Sequence, residues 1–347
     1  MSSPVSDAAR ATPGERAIID RIRTRLPPPP PSLIVPVGDD AAVMMPERGE
    51  MQVLTTDALV EGVHFDRRFS SLADVGYKAI AVNVSDVAAM GGTPSLVLLS
   101  LMLPDGTSLE DVDALADGVL EMAAAARVAV AGGNVTRSPA ALIVDVTAIG
   151  HVRPRRVLTR SGGRPGDALY VTGTIGGAAA GLAWLRDNPR DSATGVWPNP
   201  ADPLLVAAVR RHRRPEPRLR MGAILGRARV ASACMDLSDG LADAVRQIAQ
   251  ASGTGAIVDA ASLPIDPGAR AWWAARGSDS VEEALSGGDD YELLFALPQK
   301  TARRIRSAQN AARGLPLTRI GELTLEPTLV VLRDGRPEPL PPGFTHF

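Results

Sequence analysis

The sequence predicts a mixed α/β protein built from two domains. A chain of 347 residues is longer than one typical domain, and 45% apolar residues are enough for ordinary buried cores. In both halves, segments with strand character alternate with segments whose apolar residues recur at helical spacing. We therefore predict a disordered tail at 1–14, a first α/β domain at 15–152 and a second α/β domain at 153–347.

In the first half, apolar residues at helical spacing predict an amphipathic helix over 15–26, and the five prolines 27–31 end it as a stiff linker. Ser108 with Asp111 three residues later is a helix-capping pattern, and an alanine-rich stretch continues that helix to Arg127. The other elements predicted here are a helix at 73–90 and strands at 51–56, 96–103, 128–131 and 141–149.

The second half repeats this style. The predicted strands are 168–171, 255–259, 291–297, 317–321 and 328–332, and the predicted helices are 176–186, 203–213 and 239–251. The basic run 211–214 is interpreted as a solvated helix end. The glycine-rich turn 173–177 is interpreted as a tight turn, although its N–H groups would also suit a phosphate.

Composition argues against several classes of protein. The 37 basic and 39 acidic residues nearly cancel, so no positive excess indicates nucleic-acid binding. The longest apolar stretch, 96–103, is far shorter than the about 18 residues that span a bilayer. Cys234 is the single cysteine, which excludes an internal disulfide, and we interpret it as a buried, inert thiol. Without a secretory signal at the N-terminus, we expect a soluble cytoplasmic protein.

The main functional signal is a set of short aspartate-bearing segments distributed from Asp39 to Asp290. The segments are Gly38–Asp40, Thr55–Asp57, Asn83–Asp86, Met235–Gly240 and Gly287–Glu292. Carboxylates that converge repel each other unless cations lie between them, and Mg²⁺ is usually shared between carboxylates and substrate phosphates. One such segment alone would be explained best as a helix cap or turn. Five together predict a metal- and phosphate-handling enzyme.

Local expectations accompany these segments. Thr55, Thr56 and Asp57 are predicted to end a strand and to present three oxygen ligands in a row. Strand alternation would point Asp236 and Ser238 the same way if their segment is extended. Asp239 is expected to begin the next helix, where its charge suits the helix dipole.

Taken in order, these motifs resemble those of the thiamine-monophosphate kinase family. The resemblance runs from about 15 to 344, nearly the whole chain, and includes Thr159–Gly162. The aspartate segments are shared with a superfamily that includes aminoimidazole ribonucleotide synthetase, selenophosphate synthetase and a hydrogenase-maturation protein. Glu61–Phe65 and the terminal pair Gly343 and Phe344 are more specific to the kinase.

The resemblance implies an aminoimidazole ribonucleotide synthetase-like fold with an ATP- and Mg²⁺-binding first domain and a C-terminal α/β domain. The N-terminal sheets of two copies would pair in a homodimer, and the active site would lie between domains. The implied activity is transfer of the γ-phosphoryl group of ATP, with several Mg²⁺ ions, to thiamine monophosphate. The product is thiamine diphosphate, and this is the last step of its biosynthesis.

The resemblance also implies roles for single residues. The metal ligands would be Asp40, Thr55, Thr56, Asp57, Asp86, Asn134, Asp236 and Asp239, of which Asp40, Asp57, Asp86, Asp236 and Asp239 form the catalytic set. The ATP contacts would be Gly133, Asn134, Arg160 and Ser238. The substrate contacts would be His64, Asp289 and Phe344.

Two positions depart from the family pattern. Asn134 occupies a position where the family usually has Asp, which removes one negative charge. Asp289 occupies a position where Glu is usual, which shortens the side chain by one methylene. Two alternatives stay open: a sister ATP-dependent synthetase with another acceptor, and a nucleotide-binding protein that does not transfer phosphate.

Overall fold

A computed structural model describes residues 13–191 and 198–343. Residues 1–12 of the tail predicted at 1–14 lie outside the described residues, as does the predicted thiamine contact Phe344. No helix within the described ranges is long and apolar enough to cross a membrane.

The described residues form ten α-helices. They are α1 Glu15–Arg23, α2 Leu72–Ala89, α3 Leu109–Ala126, α4 Gly177–Asp187, α5 Pro203–Arg213, α6 Leu219–Ala228, α7 Leu241–Ser252, α8 Pro267–Ala275, α9 Ser280–Ser286 and α10 Arg304–Ala311.

The same described residues also contain thirteen strands. They are β1 Leu33–Val35, β2 Val43–Met44, β3 Met51–Val60, β4 Thr93–Pro104, β5 Ala129–Ser138, β6 Ile143–Val152, β7 Ala168–Thr172, β8 Ala233–Asp236, β9 Gly255–Asp259, β10 Leu293–Leu297, β11 Leu317–Thr324, β12 Leu329–Arg333 and β13 Arg336–Pro339.

The longer strands form two sheets. The four-stranded sheet has the order β3-β6-β4-β5, and the seven-stranded sheet has the order β13-β12-β9-β11-β7-β10-β8. β4 and β5 are parallel, as the intervening helix α3 requires. β10 is antiparallel to both of its neighbours, β7 and β8. The mixed α/β class is therefore confirmed.

The described chain divides into two compact units. The first contains 13–45, 56–80 and 96–147, and the second contains 46–55, 81–95, 148–191 and 198–343. The division falls inside β3, α2, β4 and β6, so it follows contacts rather than whole elements. The domain boundary at 152 remains a prediction.

In the first unit, two glycines allow α2 and α3 to cross closely. A Cβ atom on Gly118 would collide with the carbonyl oxygen of Ala73, and one on Gly76 would collide with that of Leu115. The predicted cap of α3 is confirmed: Ser108 accepts a hydrogen bond from Asp111, and the Asp111 side chain accepts one from the Ser108 backbone.

In the second unit, α7 has one buried and one polar face. Leu241, Val245 and Ile248 belong to a buried apolar cluster with strands of the seven-stranded sheet. Asp243 and Gln247, three to four residues apart like the buried set, lie on the other face and are only partly buried. The buried face therefore fixes the helix, and the polar face is held in a defined place.

Most predicted elements are present with shifted ends. β5 extends to Ser138, well beyond the predicted 128–131, because its register with β4 continues from Ala129 to Ser138. The helix predicted from Asp239 begins instead at Leu241. α6, α8, α9, α10, β1, β2, β8 and β13 were not predicted. β8 is only four residues long and buried throughout, so it has no alternation that reveals a strand.

Candidate functional site

Two side-chain hydrogen bonds bring together three of the aspartate segments within the second unit. Thr55 Oγ1 on β3 donates to Asp86 Oδ2 on α2 over 2.6 Å. The neighbouring residue Ser85 donates from Oγ to Asp236 Oδ2, also over 2.6 Å. Asp236 ends β8. Residues separated by about 180 positions in sequence therefore meet through two consecutive residues of one helix.

Of the residues in these two hydrogen bonds, Ser85 and Asp236 are buried in the protein. Ser85 is fully buried and Asp236 is 3% exposed, whereas Thr55 and Asp86 are only partly buried. The backbone of Asp236 lies opposite Leu293 of β10, which determines where β8 ends. The Ser85 hydroxyl then orients the carboxylate. Ser85 had no role in the predicted site, although the quoted motif Asn83–Asp86 contains it.

The donor set fits Mg²⁺. It offers carboxylate and hydroxyl oxygens, which are the ligands this hard cation prefers. Among residues 13–191 and 198–343, no three carboxylate, imidazole or thiol side chains form a metal-binding cluster by themselves.

The prediction that Thr55, Thr56 and Asp57 end a strand is wrong. They lie in the middle of β3, which continues to Val60. Because side chains alternate along a strand, Thr56 points away from the face that carries Thr55 and Asp57. Thr56 Oγ1 instead donates to Asp145 Oδ1 on β6 over 3.2 Å. The three side chains therefore do not present three ligands on one face of the strand.

Asn134 and Gly133 are not brought to Thr56 and Asp57 within the four-stranded sheet. They lie on β5, at the edge opposite β3, with β6 and β4 between. Three strand spacings amount to about 14 Å. The sheet itself requires glycine at position 133, because a Cβ atom there would collide with the carbonyl oxygen of Leu99 on β4.

Asp40 is exposed, and its N–H donates to Asp39 Oδ1 over 2.9 Å.

His64 folds back onto its own turn in the first unit. The backbone N–H of Val60 donates to His64 Nδ1 over 3.1 Å, and Lys78 Nζ donates to the His64 carbonyl over 3.4 Å. An Nδ1 atom that accepts a hydrogen bond carries no proton, so the neutral ring has its N–H at Nε2. That N–H is a suitable donor for a phosphate oxygen.

Backbone hydrogen bonds join the segments 236–240 and 287–292. Leu237 N donates to the Glu292 carbonyl over 2.8 Å, and Asp289 N donates to the Ser238 carbonyl over 2.8 Å. Gly240 has φ +94, and a Cβ atom there would lie 3.0–3.1 Å from three carbonyl oxygens of 285–287. Asp239 therefore does not begin a helix, because the helix starts after Gly240 has turned against this neighbouring segment.

The segment 287–292 has a strained backbone. Asp289 and Tyr291 adopt left-handed φ values of 69° and 49°, which are uncommon for residues other than glycine. Asp289 Oδ1 accepts a hydrogen bond from the Tyr291 hydroxyl over 3.3 Å, and Asp289 Oδ2 lies 3.3 Å from His212 Nδ1. His212 is 3% exposed. Sequence reasoning gave it no role, because it lies far from Asp289 in the chain.

Asp290 turns inward and holds the glycine-rich turn. Its carboxylate accepts hydrogen bonds from Gly176 N over 2.5 Å and from Ala178 N over 3.2 Å, at the start of α4. Burial raises the pKa of the Asp290 carboxyl to about 7, although the charge of Arg211 and these two hydrogen bonds oppose the shift. In the described structure, the turn 173–177 and the first residues of α4 thus each give one N–H group to a carboxylate of the chain itself.

Glu292 is the centre of a buried ion-pair network. It is fully buried and accepts hydrogen bonds from Arg218 Nη2 over 2.5 Å, from Arg211 Nη2 over 3.1 Å and from Thr172 Oγ1 over 2.5 Å. The pKa of Arg218 is raised by Glu292 against the opposing effect of burial. The interpretation of 211–214 as a solvated helix end is therefore wrong for Arg211 and His212, which face inward.

Arg160 is exposed, yet its orientation is determined. Its Nη1 donates to Gln247 Oε1 on α7 over 2.5 Å. Ser238, the other predicted ATP contact in this unit, donates from Oγ to Asp239 Oδ2 over 3.4 Å.

The interpretation of Cys234 is confirmed in one respect: it is buried, and burial raises its thiol pKa.

Comparison with known proteins agrees with this fold. Residues 38–152 match the AIR synthase related protein, N-terminal domain, and residues 164–333 match the corresponding C-terminal domain. The chain is therefore a two-domain protein of the AIR synthase related class.

Within that class, one group of relatives is similar over nearly the full length. The thiamine-monophosphate kinase of Synechococcus elongatus is 34% identical, over 99% of each chain. The solved thiamine-monophosphate kinase of Stenotrophomonas maltophilia has 35% identity and a TM-score of 0.78, covering 91% of this chain and 94% of that one. A structure of AaThiL complexed with AMPPCP and TMP has 33% identity and a TM-score of 0.75, covering 90% and 92%. This chain belongs to the thiamine-monophosphate kinase family, a family of phosphotransferases.

The raised pKa of Asp290 makes a testable prediction about stability. A carboxyl whose folded-state pKa lies above its unfolded value stabilises the fold fully at low pH, and this contribution is lost as the pH rises through the folded pKa. The wild type should therefore lose stability relative to Asp290→Asn between about pH 4 and pH 7, by at most roughly 1.4 kcal/mol per pH unit. Urea unfolding of both proteins across this range measures the difference, and a difference that does not change with pH would contradict the assignment.

Proposed function

We propose that this protein transfers the γ-phosphoryl group of ATP directly to the phosphate of thiamine monophosphate, giving thiamine diphosphate and ADP. Donor and acceptor are both polyanions, so the site must first neutralise charge and then position the two phosphates. The relative AaThiL, complexed with AMPPCP and TMP, supports this pair of ligands.

The observation that carries the proposal is a pair of hydrogen bonds, from Thr55 to Asp86 and from Ser85 to Asp236, whose oxygen atoms we call the oxygen cluster. They link three separate motifs through adjacent residues of α2, and their oxygens are the kind that bind Mg²⁺ between a protein and a phosphate. When bound, Mg²⁺ would neutralise phosphate charge. We propose that these residues hold one such ion.

The other chain groups would bind and orient the substrates. His64 would donate from Nε2 to the phosphate of thiamine monophosphate, as the hydrogen bond at Nδ1 favours. Arg160 would bind phosphate oxygens of ATP with its planar fork. Asp289, held beside His212 and Tyr291, would contact the thiamine part. The remaining assignments for Asp40, Thr56, Asp57, Gly133, Asn134, Ser238, Asp239 and Phe344 stay predictions from the resemblance.

The decisive experiment measures thiamine diphosphate formed from purified protein, ATP, Mg²⁺ and thiamine monophosphate. We expect product with the wild type. Asp236→Asn should lower kcat by on the order of 100-fold or more, since even residues that only orient metal ligands cost up to about that much. Asp105→Asn, which removes an exposed carboxylate paired with Arg137, is the matched control and should retain wild-type activity.

Each other outcome has a clear meaning. If the wild type forms no product, the kinase proposal fails. ATP binding without product would support a nucleotide-binding protein without transfer. Equal activity of Asp236→Asn and Asp105→Asn would remove the oxygen cluster from the reaction. Thermal unfolding of both variants shows whether either change acts through stability.

Asn134 gives a second prediction. The family usually has Asp here, so Asn134→Asp restores a negative charge that Mg²⁺ would favour. We expect tighter Mg²⁺ activation, or no change, in a titration of activity against Mg²⁺ concentration. A collapse of activity in Asn134→Asp would show instead that the site is built around the amide.

We also propose that the protein is a homodimer in which the N-terminal sheets of two copies pair. β3 is an edge strand of the four-stranded sheet, and it exposes apolar side chains: Met51 is 50% exposed and Leu54 is 63% exposed. An apolar edge of this kind favours pairing with another strand. Sedimentation at micromolar concentration should give a dimer, and Leu54→Lys should shift it towards monomer. Leu325→Lys, at an apolar position that is even more exposed, should not, and a monomeric wild type would refute the proposal.

A further inference from the structure

The buried face of α5 ends at His212, directly beside the Asp289 carboxylate. The buried residues of this helix, Leu205, Ala208, Val209 and His212, recur at helical spacing, which packs one side of the helix inward. His212 Nδ1 lies 3.3 Å from Asp289 Oδ2, and the two side chains are 3% and 29% exposed. A buried imidazole therefore contacts a carboxylate that still reaches the surface of the second unit.

The Asp289 carboxylate is held from two directions. Its Oδ1 accepts a hydrogen bond from the Tyr291 hydroxyl over 3.3 Å, and its Oδ2 faces His212. Tyr291 is 7% exposed, so packing fixes both partners. The backbone is anchored as well, because Asp289 N donates to the Ser238 carbonyl over 2.8 Å. These contacts leave the carboxylate few orientations.

A buried ion pair fixes α5 against the segment 287–292. Arg211, the residue before His212, donates from Nη2 to Glu292 over 3.1 Å. Two consecutive residues of α5 therefore meet this segment, one at Glu292 and the other at Asp289. Because Glu292 is fully buried, the geometry of both contacts is determined inside the protein.

Backbone strain marks the same place. Asp289 and Tyr291 have φ values of 69° and 49°. Strained residues persist only where their surroundings over-determine them, and they are concentrated at active sites and ligand clamps. The strain therefore indicates a binding site around Asp289 rather than a simple turn.

The contact between His212 and Asp289 has a defined polarity. A ring nitrogen that presented a lone pair to a carboxylate oxygen would be repelled, so Nδ1 carries the proton in this arrangement. An ionised carboxylate only accepts hydrogen bonds, so the exposed part of Asp289 suits N–H donors and positive charge.

We propose that His212 is a positioning residue, which orients the Asp289 carboxylate towards the thiamine part of thiamine monophosphate. That part of the substrate carries a positive charge and an amino group. The proposal rests on the proposed function, which assigns Asp289 to this part of the substrate. It goes beyond that function by giving a residue outside the predicted site a role in substrate affinity, through Asp289 rather than by touching the ligand.

The first test measures binding of thiamine monophosphate to the full chain by calorimetry, with Mg²⁺ and without ATP. His212→Leu keeps much of the side-chain volume but removes the donor, so it should weaken binding about 10-fold or more, as expected for a hydrogen bond to a charged group. His151→Leu is the matched control, because His151 Nδ1 pairs with the Glu50 carboxylate in the same unit, and it should bind as the wild type does. Equal affinities of the two variants would overturn the role of His212.

His212→Asn separates the donor from the ring. Its amide nitrogen can take the place of Nδ1, so this variant should recover most of the affinity that His212→Leu loses. If both variants bind equally weakly and unfold at similar temperatures, the ring acts only through its volume and the positioning role is refuted.

A double-mutant cycle tests whether His212 acts through Asp289. Asp289→Ala should weaken binding, and adding His212→Leu to it should cause little further loss, because the group that His212 orients is already gone. Losses that multiply would show that His212 acts elsewhere and would contradict the proposal.

Two further readouts exclude a merely structural effect. His212→Leu should bind a non-hydrolysable ATP analogue as the wild type does. In steady-state assays it should raise KM for thiamine monophosphate and retain kcat, since it removes uniform binding. Equal loss of affinity for both ligands would count against a specific role of His212.

These measurements also distinguish failure of the inference from failure of the proposed function. A wild type that binds thiamine monophosphate but forms no thiamine diphosphate would refute the kinase proposal and leave the positioning role intact. An active wild type whose affinity is unchanged in His212→Leu would refute the positioning role alone. A wild type that does not bind thiamine monophosphate would overturn both.

Discussion

The carboxylate of Glu292 is buried between the guanidinium groups of Arg211 and Arg218, and the geometry around it depends on this pairing. Removing one partner of such a buried pair costs about 3–5 kcal/mol, because the other charge is left uncompensated. The pair fixes the end of the segment 287–292. That segment in turn hydrogen-bonds to the backbone of Leu237 and Ser238, beside the Asp236 carboxylate of the oxygen cluster.

Consecutive acidic residues in this segment therefore have different functions. Asp290 and Glu292 point inward, where the first holds the turn before α4 and the second neutralises two arginines. Asp289 is partly exposed and stays beside His212 and Tyr291. These anchors sustain the left-handed backbone at Asp289 and Tyr291, because a strained backbone persists only where the surrounding structure over-determines it.

Much of the fold was predictable from local signals. The capping residues of α3, the full extents of α5 and β9 and the alternation of strands and helices follow from side-chain chemistry within a few residues. The predicted β5 was too short and β8 was missed. Their strand character depends on pairing with β4 and β10, respectively, rather than on their own pattern. Arg211 was misplaced for a related reason: its partner Glu292 lies 81 positions away.

The sequence by itself determined the mixed α/β class, the residue types that can bind Mg²⁺ and phosphate, and the family whose motifs the chain carries in order. Only the tertiary structure decided which residues of these motifs come into contact. Ser85 meets Asp236 because α2 packs where β8 ends. Asn134 lies on β5, two strands away from β6, and the Asp290 side chain turns inward. Side-chain chemistry is a property of each residue, whereas proximity across more than 100 positions depends on how the core packs and on which polar groups that packing buries.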